Sequence, residues 1–343
     1  MKKSFKIGAL ALAMSALLFS CADPNNNTNN SSKKAVNSMN DAQTVIEEIS
    51  YDLGYSFGQT FSELASNQDF QTDIINKVLD SDGKPTLPIN LDLANKQYNV
   101  TGLKLNIEKG KADITVTNNT DNNNTTYNAT TDIVEEVIFD GSKLKVKDQI
   151  GHDENSNPIW SEPRDNKITS AVGAITLKAT DVVVILDNNN SMPPAISGNI
   201  SDITIKANAK FDTGTDGYAG NINLDGNVVA SDLNELYKTI TTKLNSNDSV
   251  ASTIKELITY NNWLNTQNGH GDTSLVGKPA PAEPAYPTKD ELTAVYTWID
   301  TLNATINAKI SFTDVNNANP FYLLKVTKLS ELAKMYIPQK LSK

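Results

Sequence analysis

The residues able to carry bond-making chemistry are few. The chain has one cysteine, Cys21, and two histidines, His152 and His270. Both histidines lie in polar stretches with a glycine beside them, and neither a Gly-x-Ser-x-Gly elbow nor a His-Glu-x-x-His pair accompanies them. A zinc site would need carboxylates for most of its ligands. No glycine-rich phosphate loop occurs. Trp160, between Pro158 and Pro163, reads as a loop residue, and an exposed tryptophan is a strong interface anchor. Trp263 and Trp298 fall in helical stretches near Tyr260 and Tyr296, where core or rim packing is expected. This inventory points to binding rather than catalysis. No catalytic residue, metal or cofactor is expected, and Trp160 is the candidate ligand contact.

Two loop strings imitate known sites. Phe211-Asp212-Thr213-Gly214-Thr215 resembles the active-site loop of aspartic proteases. That chemistry needs two carboxylates sharing a proton, and no second such string is present, so the partner would have to come from a homodimer. Asp212 to Gly217 also half resembles a calcium loop. Asn223 stands where an EF-hand needs Glu, and no helix pair flanks the stretch. Asp187 to Asn190, and Asp314 with Asn316 and Asn317, offer further oxygen ligands. Solvated turns are the expectation for all of these.

The one cysteine has a specific setting. Lys2, Lys3 and Lys6 precede an apolar run, Ile7 to Leu18, too short to cross a hydrocarbon core of about 30 Å. The run ends in Leu18-Phe19-Ser20-Cys21. This resembles the signal peptide and lipobox of bacterial lipoproteins. The resemblance implies cleavage before Cys21, a diacylglyceryl group on its thiol, and a further acyl chain such as palmitate on the new amine. Two or three chains hold a protein stably on a membrane where one does not. Ala22 replaces the Asp that retains some lipoproteins at the inner membrane, which points to the outer membrane or the cell surface of a bacterial envelope. Residues 22 to 40, rich in Asn, Ser and Lys, read as a disordered tether.

The formal charge is −10, and losing Lys2, Lys3 and Lys6 with residues 1–20 takes the mature chain to −13. Such a body repels phosphate backbones, so nucleic acid is not an expected partner.

Apolar periodicity supplies the scaffold. Ile46, Ile49, Leu53, Phe57, Phe61 and Leu64 step by three or four, predicting a helix, with helical character continuing to about residue 80. From 88 to 230 the period is two. Leu103, Leu105 and Ile107 alternate with Lys104 and Asn106, and similar runs follow up to Val228, giving roughly eight to ten antiparallel strands with one wet face. After Ala230 helical spacing returns, opened by Asp232 with Glu235 and later by Thr288 with Glu291, both at capping-box spacing. Residues 231–343 therefore read as helical, with a last amphipathic segment near 321–337.

The expected architecture is α+β: a signal peptide at 1–20, an anchor and tether at 21–40, and one domain at 41–343. In it a curved antiparallel sheet packs against N-terminal and C-terminal helices. The order from Ile46 through Val116 resembles tubular lipid-binding proteins of the bactericidal/permeability-increasing type, which implies a hydrophobic ligand between layers. The expected function is a lipid-anchored, non-enzymatic surface module that meets the membrane through its lipid and binds an envelope, host or hydrophobic partner. The alternatives are a carrier of lipids or other hydrophobic ligands, and a hydrolase of envelope polymers.

Overall fold

The computed structural model describes residues 33–119, 123–188, 194–267, 282–314, 320–338 and 340. Cys21, most of the tether and His270 lie outside them. Helix α1, Met39–Ser66, starts where the Ser38 side chain accepts a hydrogen bond from Asp41 N at 3.2 Å. A broken helical run then carries the chain through Gln68–Phe70, a π-helical turn Gln71–Ile75 and Asn76–Val78.

Nine strands form one antiparallel sheet in the order β1-β3-β4-β9-β10-β11-β12-β13, with β2 also paired to β3. The strands are β1 (Ile89–Asp92), β2 (Lys96–Val100), β3 (Leu103–Asn119), β4 (Asn124–Phe139), β9 (Ile168–Asp187), β10 (Ala195–Asp212), β11 (Ala219–Ala230), β12 (Thr305–Thr313) and β13 (Phe321–Val326). The α+β class and the antiparallel sheet flanked by terminal helices are as the alternation implied. The C-terminal third is not all helical, however. β12 and β13 lie in it and close the edge of the sheet beside β11. Ile306, Ala308, Ile310 and Phe312 alternate with Asn307, Lys309 and Ser311, a period of two that follows directly on the helical residues ending at Ile299.

One face of the sheet is wet. On it Lys206, Asp225, Lys309 and Lys325 stand side by side on β10 to β13, and Asn208 Nδ2 donates to Asn223 Oδ1 at 2.5 Å. The other face is apolar and carries the core. There Leu103, Leu105, Ile107, Phe139, Ile168, Phe211 and Phe312 form one buried cluster with Val45, Ile46, Ile49 and Leu64 of α1. Phe57 stacks on Phe61 at 5.6 Å and on Phe139 at 5.4 Å. Leu53, Phe57 and Phe61 are only partly buried. The helix buries a second line instead, Asp52, Ser56 and Thr60, each 0% exposed.

β4, β9 and β10 share irregularities at mid-length. The register shifts at Ala129/Thr131 in β4, Asp181 has φ +50°, and the register shifts again beside Gly198. Gly198 has φ +109°, and a Cβ there would lie 2.5 Å from the Asp181 carbonyl oxygen, so glycine alone fits. Bulges of this kind increase the local twist of a strand.

At the C-terminal end, α2 (Leu233–Leu244) packs against β10, and α3 (Ser249–Gln267), α4 (Lys289–Ile299) and α5 (Leu329–Tyr336) follow. Tyr260 is fully buried, with ring contacts to Trp263 at 5.3 Å and Tyr286 at 4.8 Å. The Thr288/Glu291 capping box forms. At α2 only the Asp232 half does, its side chain accepting from Glu235 N at 2.8 Å. Among the described residues no helix is long and apolar enough to cross a membrane.

Residues 33–36, ahead of the residue-40 boundary read from composition, are docked on the body. Lys33 Nζ bonds Asp212 and the Gly214 carbonyl, Lys34 bridges to Tyr218, and Val36 is buried.

Candidate interaction surface

Between β4 and β9 the chain makes an excursion, residues 140–167, that returns beside α1. It forms two small two-stranded sheets, β5 (Lys145–Val146) with β8 (Arg164–Asp165), and β6 (Gln149–His152) with β7 (Pro158–Trp160). Trp160 is thus a strand residue in a hairpin, not a loop residue. Period-two alternation over three residues is too short to register as a strand.

The hairpin is pinned to α1 by charge. Arg164 is the only arginine among 343 residues, against 29 lysines. Its guanidinium clamps two carboxylates. Nη1 and Nη2 donate to Asp52 Oδ2 and Oδ1 at 2.8 and 2.7 Å, and Nε and Nη2 donate to Asp148 Oδ2 and Oδ1 at 2.7 and 2.8 Å. Asp52 also accepts from Lys167 N at 2.7 Å. The planar fork of arginine suits such bidentate pairs, and lysine cannot reproduce it. Next to it Asn166 Nδ2 donates to Ser56 Oγ at 2.6 Å, and Tyr51 OH donates to the Lys147 carbonyl at 2.6 Å. The excursion thus satisfies Asp52 and Ser56 of the buried polar line, while Thr60 Oγ1 donates to the Ser56 and Phe57 carbonyls of its own helix. Hydrogen bonds from Arg164 hold the Asp148 carboxyl below its ordinary range, and donating to Asp148 and Asp52 holds Arg164 firmly charged.

This clamp supports an apolar, aromatic surface. Trp160 is 44% exposed and meets Tyr55 edge-on at 6.3 Å, and Tyr55 meets Tyr51 at 6.1 Å. Ile150 (66% exposed) and Ile159 stand on the same hairpin. Exposed apolar residues gathered on one supported element mark an interaction site more than scattered ones do. The surroundings are acidic. Helix α1 carries Asp41, Glu47, Glu48, Asp52 and Glu63 with no basic residue, and residues 147–165 hold five acids against Lys147 and Arg164.

The other sequence candidates are placed as follows. His152 sits in β6, its Nε2 2.9 Å from Gln149 Nε2. Asp212 is held by Lys33 and by Gly214 N at 2.9 Å, within a turn closed by Tyr218 N donating to Thr213 Oγ1 at 2.8 Å. The Lys33 bond lowers the Asp212 carboxyl, which suits an ion-pair partner more than a shared-proton acid. Among the described residues no three His, Cys, Asp or Glu side chains gather as metal ligands. The sequence reading singled out Trp160 and passed over Asp52, Asp148 and Arg164, although a lone arginine in a lysine-rich chain was a signal in plain view. Compared with known proteins, the chain matches no family model, no curated protein and no solved structure.

Proposed function

We propose that this chain is a lipid-anchored protein of the bacterial envelope, held on the outer membrane or cell surface through Cys21. In this reading its body works by binding, presenting the Trp160 surface to a protein partner with a basic face. The observation that carries the binding reading is the exposed set Trp160, Ile150 and Ile159 on a hairpin fixed by the Arg164 clamp, with Tyr51 exposed beside it on α1. Rigid aromatic anchors bind at small entropic cost, and a rim of acids selects basic partners and speeds their encounter. The hairpin turn holds Asp153 and Glu154, which disfavours burying this tip in a bilayer.

The anchor is tested by fractionation. Cys21→Ala is expected to move the protein from the membrane fraction to the soluble one, while the parent is released only by detergent. A Cys21→Ala protein that stays on membranes through a high-salt wash would remove the anchoring claim.

A further inference from the structure

A different part of the molecule carries unsatisfied polar groups in an apolar setting. On the core face of the sheet, beyond the area covered by α1, two cross-strand rows run over β4, β9 and β10: Glu135, Ile175 and Ile205, then Ile133, Leu177 and Ile203. All six are half-buried, so this part of the face is less completely sealed than the core under α1. Glu135 is the sole ionisable group in these rows. Among the described residues it has no hydrogen bond and no ion pair, and burial alone pushes its carboxyl above the usual range.

The next row is Thr131, Ala179, Ile200 and Ala230, and it leads into α2 after two residues. Thr131 Oγ1 is buried without a partner. So is the hydroxyl of Tyr237, on the apolar stripe of α2, the helix that packs against β10. Native proteins rarely leave buried hydroxyls unpaired, because each then forfeits the hydrogen bonds it would make to water.

We propose that these apolar rows, beside the place where α2 packs on β10, form a binding site for an amphiphile. The ligand has an aliphatic tail and an uncharged or cationic head that donates hydrogen bonds, the class of long-chain alcohols and amines. The tail lies on Ile133, Ile175, Leu177 and Ile203. The head is met by Glu135 and by the hydroxyls of Thr131 and Tyr237. A fatty acid of equal length is selected against, because its carboxylate would face Glu135.

The test uses the full chain carrying Cys21→Ala, free of detergent, with Nile red as the probe. Nile red is expected to bind with a blue-shifted emission and to be displaced by dodecylamine at a concentration at least about tenfold lower than by dodecanoate. Glu135→Gln should bring the two displacement concentrations to within about threefold, and Tyr237→Phe should weaken dodecanol several-fold. Glu136→Gln, on the wet face, controls for the overall negative charge and should change nothing. Neither Glu135→Gln nor Tyr237→Phe removes a partner, so both should melt at or above the parent temperature. Absence of Nile red binding, an amine preference that survives Glu135→Gln, or an equal loss in Glu136→Gln would overturn the proposal. Unfolding of either variant would also overturn it, by showing that these groups are already satisfied.

Discussion

Arg164→Ala is expected to destabilise the body by about 3–5 kcal/mol, because it strands a fully buried carboxylate, Asp52, whose remaining bond comes from Lys167 N. The loss reflects breaking the pair. A well-packed apolar replacement of all three partners could be far less costly. Arg164→Lys should keep most of the defect, since one ammonium cannot serve both carboxylates in two-point fashion. Urea unfolding of the two variants measures this directly, and losses below about 1 kcal/mol would mean that the clamp does not hold α1 to the excursion. A pH dependence follows with a definite sign. The Asp148 carboxyl is lower in the folded protein, so its contribution is complete above the ordinary carboxylate value of about 3.9 and is lost as pH falls through the lower folded value. In Arg164→Ala the part of the acid transition due to Asp148 should vanish.

Phe139→Ala should cost about 3–5 kcal/mol, the second large effect, because Phe139 is 2% exposed and stacks under Phe57 at the centre of the α1 interface. Phe57→Ala should cost less, about 2–3 kcal/mol, because that ring is only partly buried. The two losses should not add. Stacked partners couple by about 0.5–1.5 kcal/mol, so the double variant falls short of the sum by that amount. Additive losses would mean that the rings do not meet. Equal losses at 57 and 139 would place Phe57 as deep as Phe139.

How far these features could be read in advance depends on the length of the signal. Long alternating runs such as those in β3, β9 and β10 repeat one face many times, so the sheet and its wet side were legible. So was α1, whose apolar residues recur over 28 residues. β13, with six residues, and β7, with three, give too few repeats to separate strand from helix or loop. The buried line Asp52, Ser56 and Thr60 was hidden for a different reason. Polar residues on a helix read as its solvent side until a distant segment is known to satisfy them, and Arg164 lies 112 residues away in sequence. Lys33 and Lys34 looked like more tether because their docking rests on contacts with the distant 212–219 segment, which no local pattern announces. The aromatic surface was half visible. Trp160 stood out as an aromatic among loop residues, but Tyr51 and Tyr55 belonged in sequence to a helix, and only the hairpin's return brings the three rings together.

Site-specific photocrosslinking in intact cells tests the proposal that this protein meets its partner through the Trp160 surface. A photoreactive side chain at Ile159 should trap one discrete protein adduct, and one at Tyr322 on the far, wet face should trap none. Trp160→Ala, behind the same crosslinker, should cut that adduct by about thirtyfold, the equivalent of a 2 kcal/mol anchor, without lowering the melting temperature. High salt should weaken it further if acids around the rings select a basic face. An adduct at Ile159 that is indifferent to Trp160→Ala, adducts to lipid alone, or equal trapping at Tyr322 would contradict the account.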